Sequence, residues 1–304
     1  MPGVRLAQPP RVMKTARALL AIFTVILVAV ATNASAQQAS ASDSSAAPAA
    51  APAAAPDEDT NNAELAKKLS NPIADLVSLP FQFNWENGIG PLDLTRYILN
   101  IQPVMPFTLN KKVNMIVRVI APIVSQPAPQ VPGGVAASGV SDVLTSFFFS
   151  PSKSAVIWGV GPVVSVPSTT VPTLGTEKWS AGPTAVVLKQ EGGLTYGALV
   201  NQVWSFAGNA SREDVSQMFL QPFVAYTTSG AWTFTAQSES TANWQIDGDG
   251  RWNVPINGLV AKLSSFGTFP ASYQLGGGYF VVHPDNGATW KIRAAITILL
   301  PRKK

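Results

Sequence analysis

The sequence predicts an all-β protein: an up-and-down antiparallel transmembrane β-barrel of about 12 strands, with a short N-terminal helical segment. Alternating apolar and polar residues recur in one run after another from Leu79 onward. The connections between these runs tend to alternate between short and long, as in barrels of the outer membrane. An export leader opens the chain, and no apolar run of about 18 residues follows it.

A basic and then apolar leader occupies residues 1–36. Its basic residues extend to Arg17, and an apolar run covers residues 18–31. Ala34-Ser35-Ala36 has the small-x-small pattern of a cleavage site, so we expect a signal peptide that is cut after Ala36. The alternative is an uncut anchor helix, but this run is short for a membrane span, which needs about 20 residues.

Charge and cysteine usage exclude several classes of function. The whole chain has 21 Lys+Arg and 17 Asp+Glu. The leader holds four of the basic residues and none of the acidic ones, so the mature chain is formally neutral. We expect no nucleic acid among its partners, because binding of nucleic acid uses a basic surface. The absence of cysteine excludes thiol catalysis, iron–sulfur clusters and Cys-ligated zinc.

Two segments separate the leader from the barrel. Residues 37–59 are rich in Ala, Pro and Ser and are predicted to be a disordered linker. Residues 60–77 are predicted to form a short amphipathic helical segment, because Leu65, Leu69 and Ile73 recur at helical spacing. This segment either flanks the barrel end in the periplasm, or it plugs the barrel or binds a periplasmic partner through residues 37–76.

The barrel is predicted over residues 78–304. Twelve runs are bounded by turn residues, and an even number of strands is usual in bacterial outer-membrane barrels. The predicted strands are residues 79–89, 94–107, 113–124, 142–150, 154–166, 178–189, 194–206, 216–227, 231–240, 252–264, 271–283 and 290–301.

A predicted hairpin around a Ser-Gly turn shows which face meets the membrane. In its first strand Val224 and Tyr226 lie opposite the face that carries Thr227, and in its second Trp232 and Phe234 alternate with threonine and glutamine. A soluble sheet buries its apolar face, whereas a membrane barrel turns that face to lipid and its polar face to the lumen. The absence of a helical span favours the barrel, so the aromatic residues are expected to contact outer-membrane lipid.

The lengths of the connections give a second, independent indication. Five connections, after the second, fourth, sixth, eighth and tenth runs, are short, for example KQEGG and TTSGA. Those after the third, fifth, seventh and ninth runs are longer, for example PSTTVPTLGTEK and AGNASREDVSQ. Outer-membrane barrels have short periplasmic turns and longer external loops. The first connection, NGIGPLD, departs from this trend because it is short.

Polar and charged residues on the predicted inward faces are the candidate functional residues. Glu86 and Arg96 flank the first hairpin and are expected to pair across it. Such residues either form an electrostatic lining that selects solutes or a structural network that fills the lumen. The candidate lumen-lining residues are Glu86, Arg96, Asn100, Gln102, Arg118, Gln221, Gln237, Glu239, Lys291 and Arg293.

Five runs resemble a bacterial outer-membrane barrel family that is often labelled "transporter" and sometimes, by mistaken transfer, "neuromedin U". The sequence is also similar to barrels associated with the meta pathway of phenol degradation. The resemblance extends from Asn71 to Pro301 and implies an outer-membrane barrel, without supplying catalytic residues. The runs are NPIADLVSLPFQFNWENGIGP (71–91), LNIQPVMPF (99–107), GALVNQVWSFAG (197–208), MFLQPFVAYT (218–227) and WNVPINGLVAKL (252–263).

Other motifs give weaker indications. His283 is the single histidine and precedes a turn, so a loop position is favoured over the base of a Ser–His pair. Asp247 and Asp249 lack the further oxygen ligands that calcium requires. Glycines 276–278 lack the Lys-Ser/Thr of a phosphate loop and are expected to relieve crowding in a strand. We predict no cofactor, no metal site and no catalytic residue.

The predicted function is that of an outer-membrane channel or transporter for small solutes, among them hydrophobic or aromatic ones. Two alternatives remain open. One is a structural or interaction barrel with a filled lumen, and the other is an outer-membrane enzyme that modifies lipids. The sequence does not decide whether the lumen is open.

Overall fold

A computed structural model describes residues 58–128 and 135–300. The predicted signal peptide and almost all of the predicted linker lie outside the described residues. The helix α1 covers Glu58–Leu69, so it begins two residues before the predicted helical segment. Turns at residues 70–76 connect it to the first strand. No helix among the described residues has the length and apolarity that crossing a membrane would require.

The rest of the described chain is almost entirely strand. The strands are β1 (Val77–Ile89), β2 (Leu94–Ile101), β3 (Val104–Thr108), β4 (Val113–Gln126), β5 (Ala137–Val140), β6 (Val143–Pro151), β7 (Ile157–Val166), β8 (Lys178–Glu191), β9 (Leu194–Gly208), β10 (Ser216–Thr227), β11 (Trp232–Ser238), β12 (Ser240–Asn243), β13 (Trp252–Phe266), β14 (Phe269–Val282) and β15 (Trp290–Leu300).

These strands form a closed antiparallel barrel of 12 strands, which confirms the predicted fold class. Consecutive strands pair with one another around the ring, and the pairing of β1 with β15 closes it. Closure pairs the two ends of the sheet with each other, and β5 lies beside β4 alone.

Three of the twelve wall strands consist of two pieces: β5 and β6 pair in succession with β4, and two predicted strands are each interrupted once. The run predicted at 94–107 is split into β2 and β3 around Gln102 and Pro103, where the Gln102 amide donates to the Pro80 carbonyl at 2.9 Å. The run predicted at 231–240 is split into β11 and β12 at Glu239. Pro103 has no backbone amide to donate, which explains the first interruption. At the second, a local irregularity of the strand changes the direction of a side chain. Both pieces of each strand remain in the wall.

The hairpin of β10 and β11 has the inverted facing that the sequence predicts. Trp232 and Phe234 are 46% and 49% exposed on the outer surface. Thr227 and Thr233 are buried on the inner face, where their hydroxyl groups lie 3.0 Å apart. An apolar exterior around a polar interior is the arrangement of a barrel in lipid.

The connections divide between two ends of the barrel. The short-turn end carries the tight turns, such as residues 192–193 and 228–231. The long-loop end carries the connections 167–177 and 209–215. The alternation that the sequence predicts is therefore present in the structure.

Residues 58–76, called the inner segment below, lie against the inner wall at the short-turn end. Ala66 packs with Ala231, Leu263 and Leu299 in one apolar cluster. Further along, Ile73 packs with residues from four strands on the facing part of the wall: Ile116, Phe148, Val186, Leu188 and Leu199. The Gln190 side chain also donates to the Lys67 carbonyl at 2.9 Å. These contacts on separate parts of the wall hold the segment within the mouth of the barrel.

Candidate functional site

A cluster of charges on the inner wall is centred on Glu239. The Arg293 guanidinium donates to both Glu239 carboxylate oxygens, at 2.8 and 2.5 Å. The Lys291 ammonium donates to the same carboxylate at 3.1 Å. Arg293 also donates from Nε to the Asn84 side chain at 2.8 Å. The side chains of Arg293 and Lys291 are 3% and 5% exposed, so this cluster is a buried network.

Two strands lie between the partners of this network, and the strand next to the cations carries glycine. Arg293 and Lys291 lie on β15, whereas Glu239 lies between β11 and β12, beyond β13 and β14. The register places Gly276 beside Arg293 and Gly278 beside Lys291 on β14. A residue without a side chain leaves room for the two cations to reach across the strand. This agrees with the predicted role of glycines 276–278 in relieving crowding.

Replacing Gly276 by Ala is expected to destabilise the folded barrel by about 1–3 kcal/mol, as in overpacked cores. A Cβ atom at this position would come within 2.2 Å of the Gly258 carbonyl oxygen and 2.7 Å of a Leu259 methyl group. Urea unfolding of the detergent-folded protein measures the change. The control is Gly258→Ala, because its Cβ would meet no atom within 4 Å. Equal effects of the two substitutions would contradict the crowding argument.

Glu86 and Arg96 pair across the first hairpin, as the sequence predicts. Arg96 donates to the Glu86 carboxylate from Nε at 2.9 Å and from Nη2 at 2.5 Å. Glu86 is also the cross-strand neighbour of Lys291 in the pairing of β1 with β15. All five predicted charged lumen residues on β1, β2 and β15, or next to β11, therefore have a partner of opposite charge in contact.

Arg118 differs from these cations. Its Nη2 atom donates to the Gln102 side-chain oxygen at 3.0 Å. Among the described residues no carboxylate oxygen lies within 4.0 Å of the Arg118 guanidinium, whereas Arg96, Lys291 and Arg293 each have such a partner. Arg118 is thus a lumen cation with an amide as its neighbour and no counter-ion in contact.

Two cavities meet at Arg118, which lines both of them. The long-loop cavity, of about 450 Å³, extends from Arg118 toward the long loops. Its wall combines apolar side chains such as Leu199 and Val203 with hydroxyl groups such as that of Ser180. The short-turn cavity, of about 220 Å³, extends from Arg118 to the inner segment. Arg118 therefore stands at the junction of the two halves of the lumen.

The connection between β7 and β8 covers the long-loop cavity. The backbone amide and hydroxyl group of Thr176 donate to the Asp142 carboxylate at 2.6 and 2.7 Å. Ser141 donates to the Leu174 carbonyl at 2.5 Å, and Arg212 donates to the Gly175 carbonyl at 2.6 Å. These bonds fix the connection over the cavity by tying it to two neighbouring loops.

A further ion pair stabilises the loop that carries Arg212. The Lys178 ammonium donates to the Asp214 carboxylate at 3.1 Å, and the Ser205 hydroxyl group donates to the same oxygen at 3.1 Å. The hydrogen bond from Lys178 is the main cause that holds the pKa of Asp214 below its usual range. This carboxyl group is therefore expected to stay charged in mildly acidic solution.

The inner segment closes the short-turn cavity. Ala66, Leu69 and Ala74 line this cavity together with inward-facing residues of the wall. Two of the predicted lumen residues, Gln221 and Gln237, face it as well and are joined by a hydrogen bond of 3.1 Å. Both alternatives for the segment predicted it near the barrel end, and the structure places it inside the mouth.

The predicted lumen residues thus divide into groups. Glu86, Arg96, Glu239, Lys291 and Arg293 form ion pairs on the inner wall, with Gln237 bonded to Glu239 at 3.2 Å. Gln102, Arg118, Gln221 and Gln237 line a cavity. Asn100 lies on β2 opposite Gln82 and Pro122, outside the linings of both cavities.

Sequence reasoning missed the residues that close the two ends. The helical spacing identified Ile73 as an apolar position, but it did not predict that Ile73 packs against strands β4, β6, β8 and β9. Asp142 and Leu174 lie in long connections, where no periodic pattern indicates a contact. Ser180 falls on the inward face of β8 and was not singled out, although period-two counting from Lys178 would have placed it there.

The motifs with weaker indications have local contacts. His283 Nδ1 lies 3.0 Å from the Pro284 carbonyl oxygen, in the connection between β14 and β15. Asp247 pairs with Arg251 at 3.1 Å. Among residues 58–128 and 135–300, no group of three or more His, Cys, Asp or Glu residues is arranged to hold a metal ion.

No protein-family model matches the chain, and no curated protein matches it. The structure is similar to that of an outer-membrane channel from Pseudomonas putida F1, at a TM-score of 0.54 and 12% identity over 74% of this chain and 96% of that one. This similarity shows a shared barrel fold.

Two other solved barrels are less similar. The outer membrane phospholipase A from Escherichia coli has a TM-score of 0.44 and 9% identity, covering 80% of this chain and 98% of that one. The CymD monoaromatic hydrocarbon channel has a TM-score of 0.39 and 10% identity, covering 80% and 92%.

Proposed function

We propose that this barrel is an outer-membrane channel for small solutes, with a path that runs through the long-loop cavity, past Arg118, into the short-turn cavity. The observation that carries the proposal is the junction itself, where Arg118 lines two cavities along the lumen. A structural barrel would be expected to fill this space with side chains, as small barrels do. The cavities together leave room for a solute in the middle of the barrel.

The fixed charges of the lumen favour a path for anions. The two cations on β15 are buried in the wall and share the carboxylate of Glu239, and Arg96 pairs with Glu86. Arg118 has no carboxylate in contact at the junction, and Glu239 acts on it only from beyond contact distance. Charged side chains that line a narrow path set ion selectivity, and a cation favours anions. We therefore assign the ion selectivity to Arg118 rather than to Arg293. From the sequence alone, both were equal candidates for the lining.

The inner segment would act as the gate of this channel. It occupies the short-turn mouth, so solutes leave the barrel only when the segment moves. A structural barrel with a filled lumen is the second candidate. The inner segment supports it equally well, because a mouth that stays occupied would close the lumen permanently. The Pseudomonas putida protein with the same fold is described as a channel, which favours the first candidate.

The compartment and the remaining parts of the chain belong to the same proposal. Residues 1–36 would direct export and be removed, and residues 37–57 would link the barrel to the periplasm. The apolar outer face would contact outer-membrane lipid, with the short-turn end in the periplasm. A periplasmic partner would bind through residues 37–76, where it would compete with the contacts of the inner segment.

Replacing Arg118 by Glu is expected to shift the channel from anion toward cation preference. The substitution reverses the charge of the residue that lines both cavities, and charges that line a path set its ion selectivity. The reversal potential across a planar bilayer with a salt gradient measures the shift. Lys112→Glu makes the same change of charge on an exposed turn and is the control. An unchanged reversal potential in conducting Arg118→Glu protein would remove Arg118 from the path.

A further inference from the structure

We infer that the long-loop cavity is a binding site for a small amphipathic monoanion: a carboxylate on a single ring or a short branched chain, with a hydroxyl group at its far end. The inference deepens the proposed function, because it names the class of solute that the path would take. It identifies Arg118 as the residue that holds the carboxylate.

The first argument is the charge of Arg118. This guanidinium has the amide of Gln102 as its hydrogen-bond partner and no carboxylate within 4.0 Å among the described residues. A charge inside a protein is costly unless a counter-charge and hydrogen bonds compensate it. Each neighbouring lumen cation has a carboxylate in contact, which Arg118 lacks. A bound carboxylate would supply it here, and guanidinium binds carboxylate with two parallel hydrogen bonds.

The second argument is the apolar wall beside this cation. Leu199, Val203 and Val215 are buried and line the cavity, and Phe219 completes the same side. Contact between water and apolar surface is unfavourable, so a ligand whose apolar part displaces water from this wall gains binding free energy. A volume of about 450 Å³ lies within the usual range of small-ligand sites. An inorganic anion would leave the apolar wall without a contact.

The third argument is a pair of polar atoms without partners. Ser180 is 1% exposed, and its hydroxyl group has no hydrogen-bond partner in the described structure. The Asp142 Oδ1 atom is buried without a partner as well, although Oδ2 is bonded to Thr176. Both residues line the long-loop cavity. Buried polar atoms are almost always bonded to protein or to ordered water, so a polar group of a bound ligand would be stabilised at these two atoms.

The positions of these groups define the shape of the ligand. Arg118 is the cross-strand partner of Ser146, and Asp142 precedes Ser146 by four residues. Asp142 lies just before β6 toward the long-loop end, whereas Ser146 and Arg118 lie within the wall, so the carboxylate and the cation stand toward opposite ends of the cavity. A ligand hydroxyl group would donate to Asp142 and accept from Ser180. A second carboxylate at that end would be repelled by Asp142, which excludes dianions.

Calorimetric titration of the detergent-folded mature chain tests the site without relying on ion flow. The probes are 4-hydroxybenzoate, its neutral analogue 4-hydroxybenzyl alcohol, the dianion terephthalate, and inorganic phosphate. We expect 4-hydroxybenzoate to bind at least about ten-fold more tightly than each of the other three, since one charge-assisted hydrogen bond is worth this much. Equal binding of the neutral alcohol, or tighter binding of phosphate, would overturn the inference.

Variants identify the residues. Arg118→Gln is expected to weaken binding of 4-hydroxybenzoate by about ten-fold to a hundred-fold. Arg118→Lys should restore part of the affinity, because it keeps the charge and loses the bidentate geometry. Lys112→Gln on an exposed turn is the matched control. Heat-modifiable gel mobility establishes that each variant is folded, so unchanged binding by folded Arg118→Gln protein would overturn the assignment.

The outcome separates this inference from the proposed function. Binding without conductance would support the site and contradict the channel. Conductance without binding would support the channel and overturn the site.

Discussion

Deleting residues 58–76 from the mature protein is expected to turn a barrel that is mostly closed into one with frequent, discrete conductance steps. The inner segment lines the short-turn cavity and packs on two separate parts of the inner wall. Its removal would leave Arg118 and the two cavities open toward the short-turn end. We expect the time-averaged conductance to rise by at least about ten-fold, as when an apolar constriction is removed from a pore.

The matched control removes residues 37–57 and keeps the inner segment. Because that variant retains the contacts of Ala66 and Ile73 with the wall, its conductance should equal that of the mature chain. Planar-bilayer recordings at one salt concentration compare the three proteins. Silence from the folded 58–76 deletion would favour the structural barrel with a filled lumen, since the proposed gate would then be absent without opening a path.

A reversible cross-link gives an independent test of the gate. Ala66 on α1 and Ala231 in the turn between β10 and β11 pack in one cluster, and the chain has no cysteine of its own. Joining them as the pair Ala66→Cys and Ala231→Cys is expected to hold the segment in the mouth. Openings should be rare when the pair is oxidised and should recover when it is reduced. Equal opening in both states, with the disulfide shown to have formed, would mean that solutes pass without movement of this segment.

Replacing Glu239 by Gln is expected to cost about 3–5 kcal/mol of barrel stability, the usual effect of removing one partner from a buried ion pair. Glutamine preserves the size of the side chain but removes the charge that Arg293 and Lys291 share. Those two side chains are 3% and 5% exposed, so water cannot replace the lost partner. Unfolding in urea, followed by gel mobility and intrinsic fluorescence, measures the change.

The control for this substitution is an ion pair of the same type at the surface. Glu191 pairs with Lys189 beside the short turn after β8, and both side chains are exposed. Glu191→Gln should change the unfolding free energy by about 0–1 kcal/mol, as exposed pairs do. If Glu239→Gln were equally mild, the cluster would be hydrated and open to the lumen, and its charges would need to be considered as part of the path.

This contrast also separates the two roles that the sequence left open for its charged residues. A lining and a structural network make opposite demands, because a lining needs charge that is free to act on a solute. Arg293 pairs with the Glu239 carboxylate and donates to Asn84, so it belongs to the structural network. Arg118 is bonded to a neutral amide and therefore serves the path. The same inward face carries both kinds of residue.

The sequence by itself determined the barrel. Alternation with a period of two decides the facing of each residue, as in Trp232 and Phe234 outward and Thr227 and Thr233 inward. This information is local, because neighbouring residues on a strand point to opposite sides whatever the rest of the chain does. The pairing of Glu86 with Arg96 was predictable for the same reason, since a short hairpin places them side by side.

Only the tertiary structure decided which of the inward residues interact. Glu239 reaches Arg293 across two intervening strands, and Ile73 meets side chains from four strands of the wall. The curvature and closure of the barrel bring these residues together, and neither is encoded in the spacing of residues along one strand. The sequence did not predict how the loops pack over the long-loop cavity. Their contacts depend on side-chain hydrogen bonds between connections far apart in sequence, such as that from Thr176 to Asp142. Sequence thus set the faces of the strands, and closure of the sheet set the partners, because contacts across a lumen depend on distances that no local pattern contains.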